Sequence, residues 1–301
     1  MHPTSRRDFL KQTVLFSSAT IATGPAGKPQ SVVTGKPRAT IQLGLVTYLW
    51  AKGWDLPTLI ERCEKSGILM VDLRTTHAHG VEPSLSAEER KEVKKRFQDS
   101  PVTLFGLGSN QQFDYPDRSE LRKAVETVKA FVKLSHDVGG SGVRVKPNDL
   151  PKGVAPEKTI EQIGKTVNLV AAYASDYGQQ IRLECHGQCA PPPIMKQIID
   201  YADRSNAVLL WNSNPQDLQG QGLKYNFNLL KSRLGPALHV RPLDSRDYPF
   251  QELIKLLVET DYVGWACLEA SGTPSDPIRA LIDQRELLAG MIAKAQVERL
   301  G

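Results

Sequence analysis

From about residue 41 onward, short β-branched and aliphatic runs alternate with longer stretches whose apolar residues recur at i, i+3 and i+4. The short runs predict strands over residues 41–47, 70–73, 102–107, 143–146, 181–184, 208–211, 238–241 and 264–269. The periodic stretches predict helices over 56–65, 87–98, 121–138, 159–177, 194–202, 223–234, 250–260 and 277–294, with the weakest pattern in 223–234. Helix starts are punctuated by Asp55 before Leu56-Pro57, by Ser86 with Glu89, and by Ser119 before Glu120. Eight strands, each followed by a helix, predict an α/β chain folded as a single-domain (β/α)8 TIM barrel. An open doubly wound sheet would carry a Gly-rich phosphate turn after its first strand, and Gly44-Leu45-Val46-Thr47-Tyr48 is not one.

Composition narrows the picture. The chain has 301 residues, 40% hydrophobic and 24% charged, enough for one barrel of about 250 residues with an N-terminal extension. No apolar run approaches the ~18 residues a membrane-spanning helix needs. Of the net charge of +5, residues 1–30 contribute +3, from Arg6, Arg7, Lys11 and Lys28 against Asp8. The remaining +2 forms no basic block with interleaved aromatics, which argues against a nucleic-acid partner. Ser5-Arg6-Arg7-Asp8-Phe9-Leu10-Lys11, followed by a mildly apolar stretch, resembles a twin-arginine export signal. The domain reading is therefore a signal over 1–30, a linker over 31–40, the barrel over 41–295 and a tail over 296–301. It implies the twin-arginine machinery as a partner, an extracytoplasmic or periplasmic location and no stable membrane insertion, with a homo-oligomer left open. Cys63, Cys185, Cys189 and Cys267 match no zinc spacing and read as buried free thiols.

Reactive groups of such barrels sit where the strands end. Strand five ends in Glu184-Cys185-His186, strand six in Trp211-Asn212, strand seven in His239-Val240-Arg241 and strand eight in Glu269. Alternation puts Glu184 with His186, and His239 with Arg241, on one face. Glu184, Asn212, His239 and Glu269 thus offer four O/N ligands on consecutive strand ends, a set suited to one divalent ion of the Mn, Mg, Co or Zn kind.

The segments Leu-Glu-Cys-His-Gly (183–187), Leu-Leu-Trp-Asn-Ser-Asn (209–214), Leu-His-Val-Arg (238–241) and Cys-Leu-Glu-Ala-Ser (267–271) resemble those of xylose isomerase-like TIM barrels. The resemblance is to their sugar isomerase and epimerase group. It implies that the metal is held by Glu184, Asn212, His239 and Glu269, with Asn212 standing where many members have Asp. It further implies that Glu184 and Glu269 move the proton beside a carbonyl, giving an enediolate that a divalent ion stabilises. If Asn212 does not ligate, Asp217 or Asp244 is the loop carboxylate that would replace it. His77, His79, Lys146, His186 and Arg241 are the expected contacts to a small carbohydrate: a free sugar, a sugar acid or an oxidised glycoside. A lyase or hydratase of 3-keto-glycosides on the same site, and a non-catalytic carbohydrate-binding barrel, are the competing readings.

Overall fold

The computed structural model describes residues 39–300, so the twin-arginine motif and most of the linker lie outside the described residues. Eight strands form one sheet: β1 (Thr40–Val46), β2 (Met70–Arg74), β3 (Thr103–Gln112), β4 (Gly142–Lys146), β5 (Gln180–Glu184), β6 (Ala207–Leu210), β7 (Ala237–Val240) and β8 (Val263–Leu268). Their order is β6-β5-β4-β3-β2-β1-β8-β7, with every paired neighbour parallel. The ring closes at the β6–β7 seam through single bonds. Gly235 N–H donates to the Leu209 carbonyl at 2.8 Å, and His239 N–H to the Trp211 carbonyl at 2.8 Å.

Among the described residues the eight α-helices are α1 (Leu56–Ser66), α2 (Ala87–Gln98), α3 (Arg118–Val138), α4 (Pro156–Ser175), α5 (Pro192–Asp200), α6 (Gly222–Leu230), α7 (Phe250–Glu259) and α8 (Pro277–Leu300). One follows each strand, as the periodicity predicts. Asp55 caps α1 by accepting from Thr58 N–H, and Ser86 with Glu89 forms a capping box on α2. On α3 the cap is Asp117 rather than Ser119, because its carboxylate reaches the N–H groups of both Ser119 and Glu120. The weakly patterned sixth helix stops at Leu230 and is followed by a 3-10 turn over Lys231–Arg233. The last helix continues to Leu300, through the stretch expected to be a tail. All four cysteines are free and buried.

Alternation along the strands separates two cores. Outward residues such as Leu43, Leu45, Val71, Leu73, Val143, Val145, Ile181, Leu183 and Val240 join the apolar faces of the helices in one continuous cluster. Val46, Met70, Phe105, Ala237 and Cys267 form a smaller cluster of their own. Buried charge accompanies it: Asp72, Arg144, Arg182, Glu184 and His239 are each at most 3% exposed. Arg182 stacks 3.6 Å from the Phe105 ring centroid and donates to the Phe105 carbonyl and Ser141 Oγ. Burial pulls its guanidinium down to about 10.

Helix α4 approaches α5 closely because Gly164 has no side chain; a Cβ there would collide with the Ile198 carbonyl and Tyr201 Cβ. Gly164→Ala should therefore cost about 1–3 kcal/mol through overpacking, although Ala gives back about 1 in helix propensity. A lower urea midpoint is expected; an unchanged or raised one would contradict the close approach.

Candidate metal centre

Where the strands leave the sheet, Glu184 ends β5, Asn212 follows β6, His239 lies in β7 and Glu269 follows β8. The seam bond from His239 N–H to Trp211, together with Ser213 Oγ donating to the His239 carbonyl at 2.8 Å, ties the β6 end to β7. Glu269 N–H donates to the Val240 carbonyl at 2.8 Å. Backbone pairing thus brings the four side chains to one mouth.

Glu184, His239 and Glu269 each direct one ligand atom into a common space, all within 4.8 Å of one another. His239 Nδ1 lies 3.9 Å from Glu184 Oε1 and 3.6 Å from Glu269 Oε2. Its ring is 1% exposed, and neither nitrogen has a hydrogen-bond partner. An orphaned buried imidazole nitrogen between two carboxylates is a donor set that fits a divalent ion. Asn212 belongs to the same cluster but turns its amide N–H toward Glu184 Oε1, at 3.0 Å. Neither loop carboxylate substitutes for it: Asp217 accepts from Tyr248 and from Asn214 N–H, and Asp244 accepts from Gln284.

Two groups that the strand-end pattern does not single out complete the centre. Arg144, wholly buried, donates through Nη1 to Glu184 Oε2 and through Nε to Asp72 Oδ2, the latter at 3.3 Å. Asp72 Oδ2 also lies 4.0 Å from His239 Nε2. The signal that points to them is a charged residue at an inward position of a strand whose neighbours are Val143 and Val145, or Val71 and Leu73. Burial on its own would raise the Glu184 carboxyl, but Arg144 and His239 outweigh it and hold the group below the usual range. At Glu269 burial also opposes ionisation, yet His239 and Arg144 bring it down to about 2. Both carboxylates are ionised at neutral pH.

The other expected contacts separate into two groups. Lys146 donates to Asn110 Oδ1 at 2.8 Å, and His186 Nδ1 to Asn148 Oδ1 at 3.0 Å. Both asparagines have left-handed backbones (φ 57° and 68°), Asn110 near the end of β3 and Asn148 just beyond β4, as do Thr76 and Ser213 beyond β2 and β6. Such conformations concentrate at functional sites. His77 and His79 instead lie inside the loop after β2, each 6% exposed. His79 Nδ1 accepts from Val81 N–H and its Nε2 donates to the Arg74 carbonyl, so both nitrogens brace the loop and neither is left for a sugar. His77 is flanked by Thr47 Oγ1 and Arg74 Nη1. Burial, reinforced by Arg74, pulls it down to about 4.

This chain belongs to the xylose isomerase-like TIM barrel family, whose model matches residues 60–213. Among solved structures it is similar to an L-ribulose 3-epimerase, with a TM-score of 0.74 and 12% identity over 86% of this chain and 97% of that one. A 3-keto-D-glucoside 4-epimerase from E. coli gives 0.69 and 11% over 83% and 100%. The IolI protein with a bound zinc atom gives 0.70 and 16% over 84% and 99%. At such identities the likeness is one of fold. No curated protein matches the chain in sequence.

Asp217, 1% exposed, provides a measurable signature beside the site, since burial raises its carboxyl to about 7 against the pull of its hydrogen bonds. A raised pKa favours the folded state below the unfolded value near 3.8, and that contribution is lost as pH rises through about 7. Asp217→Asn keeps an acceptor for Tyr248 and Asn214 without the charge. It should stabilise the protein more at pH 8 than at pH 5, read as the difference in Tm; an equal shift at both would refute the raised pKa.

Proposed function

We propose that the protein is a metal-dependent sugar isomerase or epimerase that forms an enediolate from a free sugar, a sugar acid or an oxidised glycoside. The observation that carries this reading is the convergence of Glu184, His239 and Glu269 around an imidazole nitrogen with no protein partner. A divalent ion held there would polarise the substrate carbonyl and stabilise charge developing on its oxygen. The exported location is part of the same proposal and rests on the N-terminal motif alone.

The two carboxylates are not equivalent. Glu184 is 2% exposed and held by Arg144 on one oxygen and Asn212 on the other. Its carboxylate is fixed as a ligand with a rigid orientation. Glu269 is 20% exposed and approached by His239, which leaves it facing the mouth. Glu269 is therefore the group that takes the proton from the carbon beside the carbonyl. Lys146 and His186, steadied by their asparagines, orient the substrate hydroxyls. The E. coli epimerase of similar fold acts on a 3-keto-glucoside, which supports including an oxidised glycoside in the proposed substrate class.

The test is elemental analysis and divalent titration of the purified protein, followed by incubation with ketoses and keto-glycosides in deuterated water. Deuterium should enter at the carbon beside the carbonyl, and Glu269→Gln should slow this about 10²–10⁴-fold. An epimeric product supports the proposal, whereas release of an aglycone points to the lyase. Metal-free protein without exchange would leave only a binding barrel.

Asn212 gives a separate expectation. Replacing its N–H donor by a carboxylate sets two anions together at Glu184, a contact that a divalent ion relieves. Asn212→Asp should lower the stability of the metal-free protein and tighten divalent binding at least about fivefold. Calorimetric titration of this variant and of Asn212→Ala decides it: if neither shifts the dissociation constant, Asn212 is not a ligand.

A further inference from the structure

Arg241 lies two residues beyond His239, on the same face of the chain as it leaves β7. Its Nη1 pairs with Asp247 Oδ2 at 3.0 Å, and its guanidinium carbon lies 5.9 Å from the Tyr248 ring centroid. Its Nε and Nη2 are buried and have no hydrogen-bond partner. Those two atoms form one side of the guanidinium, the flat fork that meets a carboxylate through two parallel hydrogen bonds. A guanidinium has only donors and stays charged, so the missing partner is an acceptor. Burying such donors unsatisfied is costly, and an acceptor that reached the fork would remove that cost.

No nearby acid fills it. Asp247 is engaged by Nη1 and by Ser245 Oγ, Asp217 by Tyr248 and Asn214, and Glu269 lies against His239. Two other cations of the strand ends have no direct ion pair among the described residues. Lys146 donates only to the neutral Asn110, and Arg74 lies against the neutral His77 and the face of Tyr48. The mouth thus offers further donors beside the Arg241 fork.

We propose that the substrate is an anionic sugar whose carboxylate docks on Nε and Nη2 of Arg241. This rests on the reading of the mouth as a sugar site and narrows its substrate class. Two residues of extended chain separate Arg241 from His239 by about 7 Å between Cα atoms. The carboxylate is therefore held away from the reacting carbonyl, as in a uronic acid that carries the two groups at opposite ends. A guanidinium fork meets a carboxylate or a phosphate alike, so the sugar phosphate in the test below separates the two anions.

The test is calorimetric binding of D-glucuronate, D-glucose and D-glucose 6-phosphate to the full chain, with divalent titration alongside. D-Glucuronate should bind at least about tenfold more tightly than D-glucose. Arg241→Gln should reduce that preference to within about twofold and leave the metal dissociation constant unchanged. Arg241→Lys should recover only part of the preference, because an ammonium has the charge without the fork. In the unmutated protein, the Arg241 Nε–H resonance should shift on adding D-glucuronate but not D-glucose, a measurement that does not depend on how the variants fold. A glucuronate preference that survives Arg241→Gln, no preference at all, or stronger binding of the sugar phosphate would each overturn the proposal. Loss of divalent binding by the unmutated protein would instead count against the metal centre, and the glucuronate comparison would still decide the role of Arg241.

Discussion

The Arg144 guanidinium, sealed from water between Asp72 and Glu184, is the contact on which the mouth depends. Taking three charges out of water costs several kcal/mol per ion, and their mutual attraction offsets this only when the geometry is fixed. Strands β2, β4 and β5 supply that fixity, because each carries its charged residue at an inward position of a hydrogen-bonded ladder. Such an arrangement is poor evidence of stability gained. Its consequence is orientation: one oxygen of Glu184 is spent on Arg144, so the carboxylate has a single way to face His239.

The rest of the centre follows from that restraint. His239 enters through the weakest seam of the barrel, where β6 and β7 are joined by single bonds rather than a continuous ladder. The short β6 ends at Leu210, so the chain can turn at Ser213 and bring Asn212 onto Glu184. An aspartate at 212 would repel Glu184 in the absence of a cation, whereas the amide donates to it. The site consequently has lower negative charge and greater internal order than a ligand set with three carboxylates.

The asymmetry between Glu184 and Glu269 has a functional corollary. A group that must accept a proton and release it needs room and access to the substrate; a group that anchors an ion needs the opposite. Under the proposed function, exposure of 2% against 20% assigns these roles to two residues of identical chemistry. Left-handed Asn110 and Asn148 extend the same logic outward, since each uses a constrained backbone to present an acceptor to Lys146 or His186.

Much of this architecture is written in the amino-acid chain itself. Periodicity alone identifies all eight strands and helices to within a few residues, apart from the longer runs of β3 and α8, because burial on one face dictates the spacing of apolar side chains. Strand-end chemistry locates Glu184, Asn212, His239 and Glu269 for a related reason: a barrel gathers strand ends at one face. How those groups bond once gathered is not legible in the sequence. His79 reads as a donor but is spent on its own loop, and Ser119 reads as a cap that Asp117 provides. Asp72 and Arg144 are visible as charges between apolar strand neighbours, but such a charge has meaning only against the charges that other strands bring within 3–4 Å. Local pattern decides which face of an element is buried. Which polar atoms are left without a partner there, at His239 and Arg241, is a property of packing between segments distant in sequence, and only the tertiary structure decides it.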